Sequence, residues 1–199
     1  MARTRAADFE EKQRGLLNDA AAVFAEQGME KASMSQIAAQ AKVSKALLYH
    51  YYPSKDALIF AIIMTHLEEL DAAIEAAYDP ALPPPELLRK LVGTVLESYR
   101  GADDQHKVQL NATLALNDAQ KAEITTLERK IVRRFSCVLN EINPDLAKPE
   151  RPLLMPVTMS LFAMLNWVYM WFRDGGRISR DDYADVATTL ILEGIKAVR

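Results

Sequence analysis

The chain has 199 residues, 50% apolar, 26% charged and 8% aromatic, with 7 glycines and 9 prolines. These proportions exclude collagen-like, low-complexity and wholly disordered classes and fit one large or two small globular domains. The single cysteine, Cys137, excludes an internal disulfide and a cysteine-rich zinc site, and the net charge of −3 argues, as an average, against a nucleic-acid partner.

Asp8, Glu10, Glu11 and Lys12 stand where a secretion signal needs an apolar core, so a reducing, cytoplasmic setting is expected. A first helix is predicted from about Phe9 to Gln27, because Leu16, Leu17, Ala20, Ala21, Val23 and Phe24 form one apolar stripe. Gly28 is placed to end it in the left-handed conformation. Ser33-Met34-Ser35-Gln36 is a capping box opening a short helix over 34–41. Ser44 caps a third, over 45–52, which Pro53 breaks. Ser54 opens a fourth over 55–77, with Asp56 near its positive end.

The cluster from Asp79 to Pro85 is too rich in proline to continue a helix. Beyond it helices are predicted at about 85–100, 104–116, 118–142, 152–173 and 180–197. Ser179 with Asp182 caps the last, and Tyr183, Val186, Ala187, Leu190, Ile191, Ile195 and Val198 are read as its single apolar face. The fold class is therefore all-α, with about nine helices in two unequal parts: 1–55, and 56–199 with helix 55–77 connecting them. Leu153 to Phe172 is uncharged and long enough to span a bilayer. Pro156, Thr158, Ser160 and Asn166 inside it favour a helix buried in a bundle or subunit interface, so no membrane partner is expected.

The charge is unevenly spread. Residues 1–55 carry +2 and residues 56–199 carry −5, and the window Lys31–Lys55 holds four lysines and no acid. Two short helices joined by only Lys42-Val43, with small Ala38 and apolar Ile37, Val43 and Leu48 between them, have the spacing of a helix-turn-helix that meets double-stranded DNA. On spacing and charge alone the alternative is an ordinary helical hairpin with a solvated lysine face.

The run Phe24-Ala25-Glu26-Gln27-Gly28, then Ser33-Met34, then Ile37 through Leu58 (IAAQAKVSKALLYHYYPSKDAL), closely resembles the DNA-binding domain of the tetracycline-repressor (TetR) family over about residues 9–60. The resemblance implies an all-helical homodimeric transcription regulator with a variable C-terminal ligand and dimer domain. It implies phosphate contacts for Tyr49 and Lys55, which set affinity rather than sequence preference. Lys45, Ala46, His50 and Tyr51 are candidates for base-edge contact, Lys45 being the natural partner of a guanine, although His50 touching only phosphate is an equal alternative. Ser33, Ser35, Lys42 and Ser44 complete the expected DNA-facing set. Lys42 departs from a frequent glycine, and Leu47 from a frequent hydroxyl residue.

Helices 152–173 and 180–197 are expected to pair across a two-fold axis, which implies a roughly palindromic operator. For an effector, His106, Gln109, Thr113, Met159, Phe162, Asn166 and Tyr169 are candidates among apolar neighbours, with core packing as the alternative for each. Trp167 and Trp171 read equally as interface contacts. The stretch Asn166 to Ser179, with Gly194-Ile195, is similar to members of the family that respond to acyl-CoA thioesters. That similarity implies an acyl chain near Met159, Phe162 and Asn166, and Lys130, Arg133 or Arg134 on CoA phosphates; a solvated basic face is the alternative. No cofactor, metal or enzymatic activity is expected: phosphate-loop, nucleophile-elbow and metalloprotease motifs are missing, His66 with Glu69 reads as an exposed polar pair, and Cys137 as a buried small residue. The rival readings are a helix-turn-helix protein without an effector, or an enzyme of unknown reaction.

Overall fold

The computed structural model describes residues 2–112 and 116–198, with side chains from residue 11 onward. Among these residues there is no strand, and ten α-helical segments occur in the order α1 (Ala2–Gln27), α2 (Met34–Gln40), α3 (Lys45–Tyr51), α4 (Lys55–Ala77), α5 (Pro84–Ser98), α6 (Asp103–Asn111), α7 (Asp118–Ile142), α8 (Leu154–Asn166), α9 (Val168–Trp171) and α10 (Arg180–Ala197). The helix expected at 152–173 is divided: the backbone turns at Trp167, and α9 is a single further turn. Counting that pair as one element recovers the nine helices read from the periodicity.

The chain packs as two compact units, Met1–Glu68 with Gly101–Thr125, and Glu69–Arg100 with Thr126–Arg199. This division differs from a single cut at residue 55. The segment 101–125 returns to the N-terminal unit because α6 packs along α1, where Gln105 Nε2 donates to Asn18 Oδ1 at 2.7 Å.

In the first unit Leu16, Leu17, Ala20, Ala21 and Phe24 of α1 are buried, together with Ile37 and Ala38 of α2, Leu48 of α3 and Leu58, Ile59, Ile62 and Ile63 of α4. These are the apolar positions at three- and four-residue spacing, so the stripe in the sequence is the core face in the fold. Gly28 takes φ +83° at the end of α1, the left-handed conformation that glycine adopts without steric cost. His66 is buried, not exposed as its pairing with Glu69 suggested. It lies on the inner face of α4 beside Ile62 and Ile63, with its ring edge-on to buried His106 of α6, centroids 6.1 Å apart. Burial, and then the neighbouring His106, push its pKa down to about 4, so the imidazole is held neutral.

In the second unit α5 buries Leu87, Leu88, Leu91, Val92, Val95 and Leu96 against α10 and α8. Phe135 of α7 meets Phe162 of α8 edge-to-face at 5.0 Å. Ser179 and Asp182 form the predicted capping box of α10. Arg180 beside it is buried but paired: Nη2 donates to Asp174 Oδ2 at 2.9 Å, Nη1 to the Leu96 carbonyl at 3.0 Å, and the guanidinium lies over the Phe172 ring. Arg180 holds the Asp174 carboxyl below its ordinary pKa.

The single apolar face expected of α10 is in fact two. Ala184, Ala187, Thr188, Ile191 and Ile195 enter the core, whereas Val186 and Leu190 are 50% and 60% exposed on another side. The split repeats in α8, where Thr158, Leu161, Phe162 and Leu165 are buried and Met155 and Met159 are about half exposed. The segment Leu154–Trp171 is apolar and long enough to cross a membrane by composition, and 28% of it is buried. Cys137 is exposed rather than buried. It follows Arg129 and Arg133 at four-residue steps along α7, away from the stripe of Ile131, Phe135, Val138 and Leu139 that faces the core.

Candidate nucleic-acid interface

Two seven-residue helices are too short to hold their own conformation in water, so their ends must be fixed locally or by packing. Both means are present. At α2 the Ser33 Oγ accepts from the Gln36 N–H at 3.3 Å, and the Gln36 Oε1 accepts from the Ser33 N–H at 2.9 Å. At α3 the Ser44 Oγ accepts from the Leu47 N–H at 3.1 Å, and at α4 the Ser54 Oγ accepts from the Ala57 N–H at 3.0 Å.

The link between α2 and α3 is equally specific. The Val43 N–H donates to the Ala38 carbonyl at 3.0 Å and the Lys42 N–H to the Ala39 carbonyl at 3.2 Å, the paired bonds of a Schellman motif. Lys42 occupies its left-handed position with φ +53°, where a side chain costs about 1 kcal/mol relative to glycine. A lysine in such a position keeps a charge at the turn despite that cost.

These restraints decide which side chains reach solvent. Leu48 is fully buried and pins α3 to the core, while Lys45, Ala46, Tyr49 and His50 are exposed on the other side, with Lys45 Nζ 5.8 Å from the centre of the Tyr49 ring. Tyr51 is half-buried, its ring against that of His50. Tyr52 faces inward, its hydroxyl accepting from Gln13 Nε2 at 3.1 Å, and burial raises its pKa. Ser35 and Lys42 are exposed, as are Ser33 and Ser44, whose hydroxyls also serve as caps. Lys55 is engaged within the protein. Its Nζ donates to the carbonyls of Glu30 and Ala32 at 3.1 and 3.2 Å, tying the loop before α2 to the first turn of α4. All ten expected DNA-facing residues thus reach solvent at least in part, and Lys55 spends two of its three donors on the fold.

The expected effector residues fall in two places. His106 and Gln109 lie on α6 in the first unit, His106 buried against His66 and Gln109 half-buried; Thr113 lies outside the described residues. In the second unit Phe162 is buried and Asn166 is half-buried. The Asn166 Oδ1 accepts from the hydroxyl of Tyr99 at 2.9 Å, and burial raises the Tyr99 pKa. Tyr169 is half-buried with its ring edge-on to Trp167. Met159, expected with Phe162 near the acyl chain, is instead about half exposed, as is Met155 one turn before it on α8. Among the described residues no group of three or more His, Cys, Asp or Glu is placed to hold a metal ion.

A family model described as bacterial regulatory proteins, tetR family, matches residues 16–62, and a model of the tetracyclin repressor-like C-terminal domain matches residues 81–195. The chain belongs to the TetR family. Its members are transcriptional regulators with this helix-turn-helix, and the helical arrangement matches solved ones closely. A TetR-family transcriptional regulator from Bordetella parapertussis 12822 is 30% identical, with a TM-score of 0.81 over 89% of this chain and 92% of that one. The structure of AibR in complex with isovaleryl coenzyme A and operator DNA is 25% identical, with a TM-score of 0.75 over 90% of this chain and 97% of that one. Among curated relatives, the HTH-type transcriptional repressor KstR2 of Mycolicibacterium smegmatis is 24% identical over 186 residues, covering 90% of this chain and 88% of its own.

Sequence reasoning passed over Arg129 and Tyr78 in this TetR-family chain. Both line a groove of the second unit with Arg133 and Cys137. The four-residue spacing of Arg129, Arg133 and Cys137 was a signal open to reading.

Proposed function

We propose that the protein is a homodimeric repressor that binds a roughly palindromic operator through paired α3 helices and releases it on binding an acyl-CoA-type effector. The observation that carries the dimer is the second apolar face of α8 to α10. Met155, Met159, Trp167, Met170, Val186 and Leu190 are between 49% and 60% exposed, and a monomer that left them wet would carry an unusually apolar surface. Two such faces pairing as a four-helix interface would bury them and set two α3 helices about one DNA turn apart. Within each α3, Lys45 and His50 would read base edges while Tyr49, Lys42 and the remaining donor of Lys55 meet phosphate. The protein would accordingly work in the compartment that holds the DNA.

The effector reading is supported by the inward Phe162, Asn166 and Tyr99 of the second unit and by the isovaleryl coenzyme A in AibR. Sedimentation together with operator anisotropy tests the whole reading. A dimer is expected at micromolar concentration, bound as a dimer to a palindrome. Replacing Lys45 by alanine should cost about 1–3 kcal/mol and relax the preference at the base pair it reads, with the salt slope little changed. Release of DNA by isovaleryl-CoA is expected. A monomer would sink the dimer, and operator binding indifferent to a panel of acyl-CoAs would leave a DNA binder without this class of effector.

A further inference from the structure

α7 carries four cations in six residues, and the fold sorts them into two pairs. Lys130 Nζ donates to Asp71 Oδ2 at 2.6 Å, and Arg134 pairs with both Asp71 and Glu75 of α4. Those two charges are neutralised where they stand. Arg129 and Arg133 are exposed, and among the described residues no carboxylate of the protein pairs with either. They lie one helical turn apart on one face, about 6 Å along the axis. Like charges at that spacing disfavour the helix slightly, and the one carboxylate on the same groove, Glu75, is paired with Arg134.

Between them opens a groove of about 580 Å³, within the size range of small-molecule sites. Tyr78, just past the end of α4, lines this groove and is 41% exposed, and Thr126 and Cys137 line it along α7. Two planar guanidinium forks on one face suit two adjacent phosphoryl groups, each fork taking two oxygens, better than one carboxylate, which would satisfy only one fork. An exposed aromatic face beside them suits a planar base.

We propose that this groove binds a nucleoside diphosphate group, with the diphosphate on Arg129 and Arg133 and the base on Tyr78. The group could arrive as a free nucleotide or as the head of a coenzyme A thioester; only the second source rests on the effector reading above. It reassigns the phosphate contacts expected from the sequence. Arg129 enters, and Lys130 and Arg134, spent on Asp71 and Glu75, become supports.

Cys137 supplies the readout, being the chain's one cysteine, exposed and in the groove. Alkylation of the full-length protein by iodoacetamide should slow several-fold with ADP or isovaleryl-CoA bound, and not with adenosine. The double substitution Arg129→Gln, Arg133→Gln should weaken that protection about 100-fold, a tenfold loss for each charge-assisted fork. Its melting temperature should match or slightly exceed the parent's, since neither side chain pairs within the fold and their mutual repulsion is removed. Tyr78→Ala should weaken ADP but not inorganic diphosphate. Protection by ADP supports the free-nucleotide source; protection by isovaleryl-CoA alone supports the thioester. No protection by either, or equal protection in the double variant, overturns the groove. Operator release by isovaleryl-CoA that survives the double substitution overturns the groove as the effector's anchor while keeping the effector. ADP protection without operator release by any acyl-CoA does the reverse.

Discussion

The outward side of α3 and the outward side of α8 to α10 offer a partner different physics. α3 offers a few polar groups whose value depends on where they point, and the restraint comes from behind: a fully buried Leu48, a serine cap and a left-handed lysine turn. α8 and α10 offer methionine, tryptophan, valine and leucine, whose contribution scales with area and is indifferent to direction. A surface that recognises by hydrogen bond and charge is therefore vulnerable through its hidden supports. A surface that recognises by apolar area is vulnerable through the residues it displays.

The largest expected effect puts this contrast at risk directly. Leu48→Ala removes a side chain with no exposed surface and should cost about 2–5 kcal/mol and abolish operator binding, while sedimentation still finds the dimer. Loss of the dimer as well would show that the two surfaces are not independent. Next is acid. His66 is neutral in the folded protein with a pKa of about 4, whereas an unfolded histidine titrates near 6.5. Below pH 6.5 the unfolded chain binds a proton that the folded chain refuses, so stability is intact above that pH. It falls by about 3 kcal/mol on the way down to pH 4. Urea titrations across this range should show the slope, and His66→Leu should lose it.

On the apolar side, Leu190→Glu should weaken the dimer about 30-fold, near 2 kcal/mol, with the subunit's own melting little changed because Leu190 is 60% exposed. The smallest effect sharpens the comparison most. Lys42→Gly should stabilise the fold by about 1 kcal/mol, since φ +53° suits glycine, and yet weaken operator binding with a flatter salt dependence. Stability and binding moving in opposite directions at one residue would mark the lysine as kept for its charge.

What was legible in the sequence was local. The caps at Ser33, Ser44, Ser54 and Ser179, the glycine at the end of α1 and the bounds of α4 and α7 each depend on residues within four positions of one another. So does the helix-turn-helix, which is why its exposed set could be assembled residue by residue. What escaped depends on distant partners. Val186 and Ala187 are adjacent apolar residues, and only packing on α5 and α8 decides that one is buried and the other displayed. The break at Trp167 has no proline or glycine to announce it. Lys55 is held by carbonyls 23 and 25 residues earlier, and Lys130 is separated from free Arg129 by a bond to Asp71, 59 residues away.

The chain has two tryptophans, Trp167 and Trp171, flanking the turn of α9 and 58% and 43% exposed. All indole emission therefore arises in the second unit. Fluorescence excited selectively at tryptophan will follow the melting of that unit and any covering of the α8–α10 face, Trp171 lying 4.9 Å from the Tyr183 ring. α3, with Tyr49 and Tyr51 but no indole, stays dark in the same experiment, so tryptophan emission reports on the second unit alone.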